Sequence, residues 1–265
     1  MQAETRNLAL FCDFENVALG VREARYEQFD INKVLERLLL KGSIVVKKAY
    51  CDWERYKDFR AAMHYASFEL IEVPHVSQSG KNSADIRMVV DALDLCYTKA
   101  HVDTFVIISG DSDFSPLVSK LRENDKTVIG VGVKSSTSQL LIANCDEFIY
   151  YDDLVRTQKA KRAEKHKGGK SSTPRQKSPA EKRREAFDLV LETVEALAAE
   201  RGDEEKLWGS MVKQALKRRK PGFNESYYGF TSFNALLEQA QAEHVVVLEH
   251  DEKSGGYLVK SRAPG

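Results

Sequence analysis

The first 155 residues predict an α/β domain, a mostly parallel sheet flanked by helices, and three observations carry that prediction. Short apolar runs rich in Val, Ile and Phe recur at strand length. Amphipathic stretches of helix length separate them, which implies βαβ units with both sheet faces covered. Acidic clusters close two of the runs, at the carboxyl ends where open parallel sheets place their sites.

Taken in order, the strands are LALFCD (8–13), IVVKKAYC (44–51), ELIEVP (69–74), TFVIIS (104–109), TVIGVGV (127–133) and EFIYY (147–151). The helical patterns run from Asp30 to Leu40, Arg55 to Ser67, Ala84 to Lys99, Pro116 to Asn124 and Ser136 to Ala143. Asp30 is the type of residue that caps a helix, and Leu35, Leu38 and Leu39 supply an apolar stripe behind it.

The formal net charge of zero hides an uneven distribution. Residues 1–155 carry 18 Lys+Arg against 24 Asp+Glu, a net of −6. Residues 156–184 carry 12 against 2, a net of +10, and residues 185–265 carry 10 against 14, a net of −4. The middle tract is rich in Lys, Ser, Pro and Gly and lacks hydrophobic periodicity, so it reads as a basic, disordered linker. It reads equally as a polyanion contact, since each Lys or Arg at a phosphate releases counterions. After it, helical patterns over 185–199, 206–217 and 231–241 precede VVVLEH (245–250) and GYLVK (256–260). Three helices and a hairpin make a small winged helix-turn-helix domain. The domains are thus 1–155, a linker at 156–184 and 185–265. The 42% apolar content excludes disorder throughout. Without an eighteen-residue apolar run or a signal-peptide pattern, a cytoplasmic location is expected. The scattered Cys12, Cys51, Cys96 and Cys145 read as core residues.

Two acidic motifs sit at strand ends: DFEN (13–16) and SGDSDF (109–114). If the central strands are adjacent, Asp13, Asp111 and Asp113 project into one crevice, and Asp85, in a first helical turn, reaches it from the side. At ~4 Å two like charges repel by about 1 kcal/mol in water and about 4 at an effective dielectric near 20. A cluster of this kind implies a cation or raised pKa values. Hard oxygen donors favour Mg²⁺ or Mn²⁺ over zinc, and a cation so held serves phosphodiester hydrolysis. Ser135 and Ser136, in a Ser/Thr segment preceding a helix, are candidate phosphate contacts. In KQALKRRK, the basic Lys213, Lys217, Arg218 and Arg219 suit either the helix dipole or a nucleic-acid contact. Nearby Phe223, Tyr227, Tyr228 and Phe230 either fill a small core or stack on bases.

From about Asn7 to Asp152 the chain resembles the NYN (PIN-like) ribonuclease family. The resemblance rests on Asp13 and Asn16 of DxxN, Lys81 and Asp85 of KxxxD, the SGDSDF block and VKSSTSQL (133–140). It implies that Asp13, Asp85, Asp111 and Asp113 are direct or water-mediated metal ligands. It also implies that Asn16 orients the first aspartate or meets substrate. Lys81 either holds a phosphate or merely sits on its loop. GFTSFNALLEQA (229–240) and GGYLVK make residues 185–265 similar to an OST-HTH/LOTUS winged helix. The expectation is a metal-dependent endoribonuclease acting on single-stranded or structured RNA, with an RNA- or protein-binding winged helix. One alternative is a non-catalytic RNA-binding adaptor. Another is a phosphatase, ranked low because Glu15 stands where a DxDx[TV] nucleophile motif carries its second Asp.

Overall fold

A computed structural model describes residues 6–26, 28–73, 83–156, 178–201, 206–251 and 256–261. The chain divides into two compact units, whose described parts lie within residues 6–156 and 178–261. In the first, the strands are β1 (Arg6–Asp13), β2 (Gly42–Cys51), β3 (Glu69–Glu72), β4 (Thr104–Ile108), β5 (Thr127–Gly132) and β6 (Glu147–Tyr150). They form one sheet in the order β3-β2-β1-β4-β5-β6, with every neighbouring pair parallel. The crossovers carry α1 (Phe14–Glu23), α2 (Ile31–Lys41), α3 (Lys57–Tyr65), α4 (Ser83–Thr98), α5 (Ser115–Glu123) and α6 (Gln139–Asn144). This is the α/β fold expected. The order reverses between β1 and β4, and that switch point opens a crevice at the carboxyl ends of the two strands.

Strand alternation decides which side chains reach the crevice. Leu8, Leu10 and Cys12 of β1 pack with α1, α2 and α3 on one face, while Ala9 and Phe11 pack with α4 and α5 on the other. Asp13 continues the second series. In β4, Phe105 and Ile107 share that second core, so Ser109 follows them toward the same face. Cys12 stands opposite Ile108 in the ladder, which sets Asp13 and Ser109 at the same level of neighbouring strands. Both strands are buried along their cores, as strands covered on two faces must be.

Beyond shifts of a few residues at element ends, two features differ from expectation. The sequence reading gave no helix before Asp30, yet the chain turns directly from β1 into α1. Asp13 caps it by accepting from the Asn16 amide, and Phe14, Val17 and Val21 form the buried face. Phe14 then anchors an aromatic cluster, with ring centroids 5.0 Å from Trp53 and 5.2 Å from Phe59. The second difference lies in the basic tract: residues 179–184, read as linker, are the first turns of α7 (Pro179–Arg201). Ser178 and Glu181 form a reciprocal capping box, the Ser178 amide donating to Glu181 (2.7 Å) and the Glu181 amide to Ser178 Oγ (3.2 Å). With Pro179 at the first helical position, this start outweighs the charged composition.

The second unit adds α8 (Gly209–Arg219), α9 (Phe233–Ala242) and an antiparallel hairpin of β7 (Val246–Asp251) and β8 (Gly256–Ser261). Its core holds Phe187, Val190, Val194, Val212, Leu216, Phe223, Phe230, Phe233, Leu236 and Val259. Phe223 and Phe230 therefore serve packing, whereas Tyr227 stays exposed with the Lys182 ammonium 4.3 Å from its ring centroid. No described helix is long and apolar enough to cross a membrane. The four cysteines are free; Cys12, Cys51 and Cys96 are buried and Cys145 half-buried.

Candidate active site

The crevice is organised by hydrogen bonds between segments far apart in sequence. Asp13, only 7% exposed, accepts from Ser109 Oγ (2.9 Å) and from the Asn16 amide (3.3 Å). Asn16 uses its side-chain oxygen to accept from the Gly110 amide (2.8 Å), tying α1 to the loop after β4. Ser109 Oγ also accepts from the Asp111 amide (3.1 Å), and Asp111 Oδ1 accepts from the Asp113 amide (3.0 Å), capping a 3-10 turn at Ser112–Phe114. Gly110 is required by a close backbone approach: a Cβ there would lie 2.4 Å from the Ser136 carbonyl oxygen. The Ser138 amide donates to the Gly110 carbonyl (2.9 Å), so the Ser/Thr segment after β5 is pinned over the SGDSDF loop.

Asp85 reaches the site from α4, which is held by a polar network along β2. Asp91 accepts from Tyr50 Oη (2.9 Å), Lys48 Nζ (3.2 Å) and Arg87 Nε (3.1 Å). The electrostatics show which carboxylates are neighbours. Burial pushes the Asp13 carboxyl up to about 7; the charges of Asp85 and Asp111 add to the rise, against the hydrogen bonds from Ser109 and Asn16. Burial likewise lifts Asp85 to about 6, with Asp111, Asp113 and Glu15 raising it further. Asp13, Asp85, Asp111 and Asp113 thus form one electrostatic cluster. Asp13 is buried, Asp85 and Asp111 half-buried, and Asp113 exposed at the rim.

This donor set fits a divalent cation in kind, since all four groups offer hard carboxylate oxygens. Among the described residues, however, no group of three or more His, Cys, Asp or Glu side chains is drawn close enough to hold a metal ion. Two further groups belong to the site. Ser109, quoted within its motif but given no role, holds Asp13 from a position 96 residues away. Glu15 faces Asp85 and is paired with Arg55 at 3.3 Å.

The proposed RNA contacts are scattered. Lys81 lies outside the described residues. Ser136 abuts the site, and its Oγ would be met at 2.3 Å by a Cβ on Gly20, while Ser135 is exposed beside it. In the second unit Lys213 is paired with Glu225 (3.0 Å) and lines a groove with Ser232, Phe233, Asn234 and Tyr257. Arg219 turns inward onto Glu192 and Thr193, both at 3.4 Å. Burial lowers the pKa of the half-buried Arg218, and Lys217 stands exposed.

A doubly wound parallel sheet with clustered aspartates at its switch point defines a class of α/β domain with an acidic site at the carboxyl ends of its strands. Residues 7–152 match the NYN domain, and the chain belongs to that family. The NYN domain is part of the PIN-like nuclease superfamily, whose members generally use divalent metals. An uncharacterized protein of Methanocaldococcus jannaschii is 28% identical over 145 residues, 52% of this chain and 54% of that protein. The chain therefore spans about half the length of that relative. A crystal structure of a protein of unknown function from Vibrio parahaemolyticus is 30% identical, with a TM-score of 0.52, covering 58% of this chain and 98% of that one.

Proposed function

We propose that the chain is a divalent-cation-dependent endoribonuclease that hydrolyses RNA phosphodiester bonds with water as nucleophile. The observation that supports this reading above others is the raised pKa of both Asp13 and Asp85, by burial and by neighbouring carboxylates, at the switch point of an NYN fold. Asp13, Asp85, Asp111 and Asp113 would hold Mg²⁺ or Mn²⁺, which when bound lowers the pKa of water and stabilises charge on a phosphodiester oxygen. Ser109 and Asn16 fix the rotamer of Asp13 and couple it to the loop that carries Asp111. Ser135, Ser136 and Lys81 would steady phosphates on the flank, and in the second unit Lys213, Lys217 and Arg218 would meet RNA on their own surface, whereas Arg219 is turned inward onto Glu192 and Thr193. The unit at 185–265, read as OST-HTH/LOTUS, and the basic tract would raise RNA affinity or bind a protein partner.

A second reading, the non-catalytic RNA-binding adaptor, draws on the finding that no three acidic side chains among the described residues stand together as a ready metal site. Incubating labelled RNA with the purified chain and Mg²⁺ or Mn²⁺ separates the two. Discrete internal fragments support the nuclease, whereas retarded but intact RNA under both ions supports the adaptor.

A further inference from the structure

Helix α4 is apolar on two faces. Met88, Ala92 and Cys96 are buried against the sheet, as a covering helix requires. Yet Ile86, Val90 and Tyr97 are 62%, 56% and 64% exposed, and Leu93, half-buried, falls between them. These outer positions are spaced four, three and four residues apart, which confines them to an arc of roughly 60° on a helix turning about 100° per residue. Isolated surface apolar groups are ordinary; an aligned stripe of four is a surface built to be covered. The 4-3-4 spacing is that of a two-helix seam, in which alternate layers come from each helix.

The residues beside the stripe select the partner. Arg87 and Asp94 lie on the same flank, seven residues apart, and carry opposite charges. We propose that α4 pairs antiparallel with α4 of a second copy, Ile86 packing on Tyr97 and Val90 on Leu93 of the other molecule. In that register same-flank positions face each other across the seam, so Arg87 of each copy, whose Nε holds Asp91 of its own helix, meets Asp94 of the other through its remaining guanidinium nitrogens. The other flank offers only the half-buried Val89, since Cys96 is turned into the sheet. A parallel pairing would instead set Arg87 and Asp94 against that apolar flank, losing the charge match. The contact is isologous and closes as a twofold dimer. One helix of 16 residues is about 24 Å long, so the interface sits below the ~800 Å² per partner of standard complexes and is weak and reversible. The seam begins one residue after Asp85, so pairing braces the turn that carries this carboxylate.

The test is sedimentation equilibrium of the full chain from about 1 to about 200 µM, the range in which a weak interface is read. Reversible dimerisation is expected, with Val90→Lys raising the dissociation constant more than about tenfold. Arg87→Glu and Asp94→Lys alone should each weaken the dimer, and the two together should restore it, because the exchanged charges meet again across the seam. Far-UV circular dichroism checks folding; Val90 is already more than half exposed, and if its variant failed to fold the charge exchange decides alone. A wild-type monomer at every concentration, a dimer indifferent to Val90→Lys, or an exchange that restores nothing would overturn the proposal.

Discussion

Replacing Asp13 by Asn should make this protein more stable at alkaline pH, although it removes a central site residue. The carboxyl titrates near 7 in the fold against 3.8 in the open chain. The folded state therefore holds a proton that the unfolded state has released throughout that interval. Its contribution is fully present below about pH 4 and is lost as pH rises through 7. At about 1.4 kcal/mol per pH unit over roughly three units, the loss reaches about 4 kcal/mol by pH 8 as an upper figure. Asparagine cannot ionise. Its oxygen still accepts from the Asn16 amide, and Ser109 Oγ can accept from its side-chain nitrogen. At ~2–4 °C per kcal/mol for a domain of this size, Asp13→Asn should melt several degrees above wild type at pH 8. At pH 4 the two should nearly coincide. Scanning calorimetry of the full chain in chelator at both pH values reads this directly. A variant less stable than wild type by the same margin at both would refute the idea that burial of a charged Asp13 costs stability.

Other consequences follow from the same geometry. Divalent cations should raise the melting temperature of wild type by binding linkage, and Asp111→Asn should blunt that rise in a titration followed by differential scanning fluorimetry. An identical cation response in the variant would remove Asp111 from the site. Gly110→Ala places a methyl group 2.4 Å from the Ser136 carbonyl oxygen, where only backbone displacement relieves the overlap. It should cost about 1–3 kcal/mol in a denaturant titration and weaken cation binding by displacing Asp111; a silent substitution would contradict the packing of that loop.

The sheet was legible because β1, β4 and β5 are nearly continuous apolar runs, which only strands covered on both faces require. The acidic crevice was legible too, because Asp13 and Asp111 follow those runs directly. What sequence concealed was mostly long-range or doubly used. Helix α1 escaped notice because its cap, Asp13, read as a ligand and Asn16 as its orienting neighbour, while Gly20 weakened the helical pattern of Phe14, Val17 and Val21. The start of α7 was masked by the charge of its surroundings, although Ser178-Pro179-Ala180-Glu181 spells a capping box. Nothing local marks Ser109 as the partner of Asp13, or Glu192 as the partner of Arg219, since each pair meets only when the chain has folded.

The central claim is that this aspartate cluster cuts RNA with the help of a divalent cation. Its most direct test follows labelled RNA of mixed structure over time with wild type and with the Asp13→Asn/Asp111→Asn double variant, in Mn²⁺, Mg²⁺ or chelator. Internal cleavage by wild type is expected in at least one cation and none in chelator, with at least about a hundredfold loss in a double variant that still binds RNA. Cleavage that persists in the double variant, or in chelator, would contradict it.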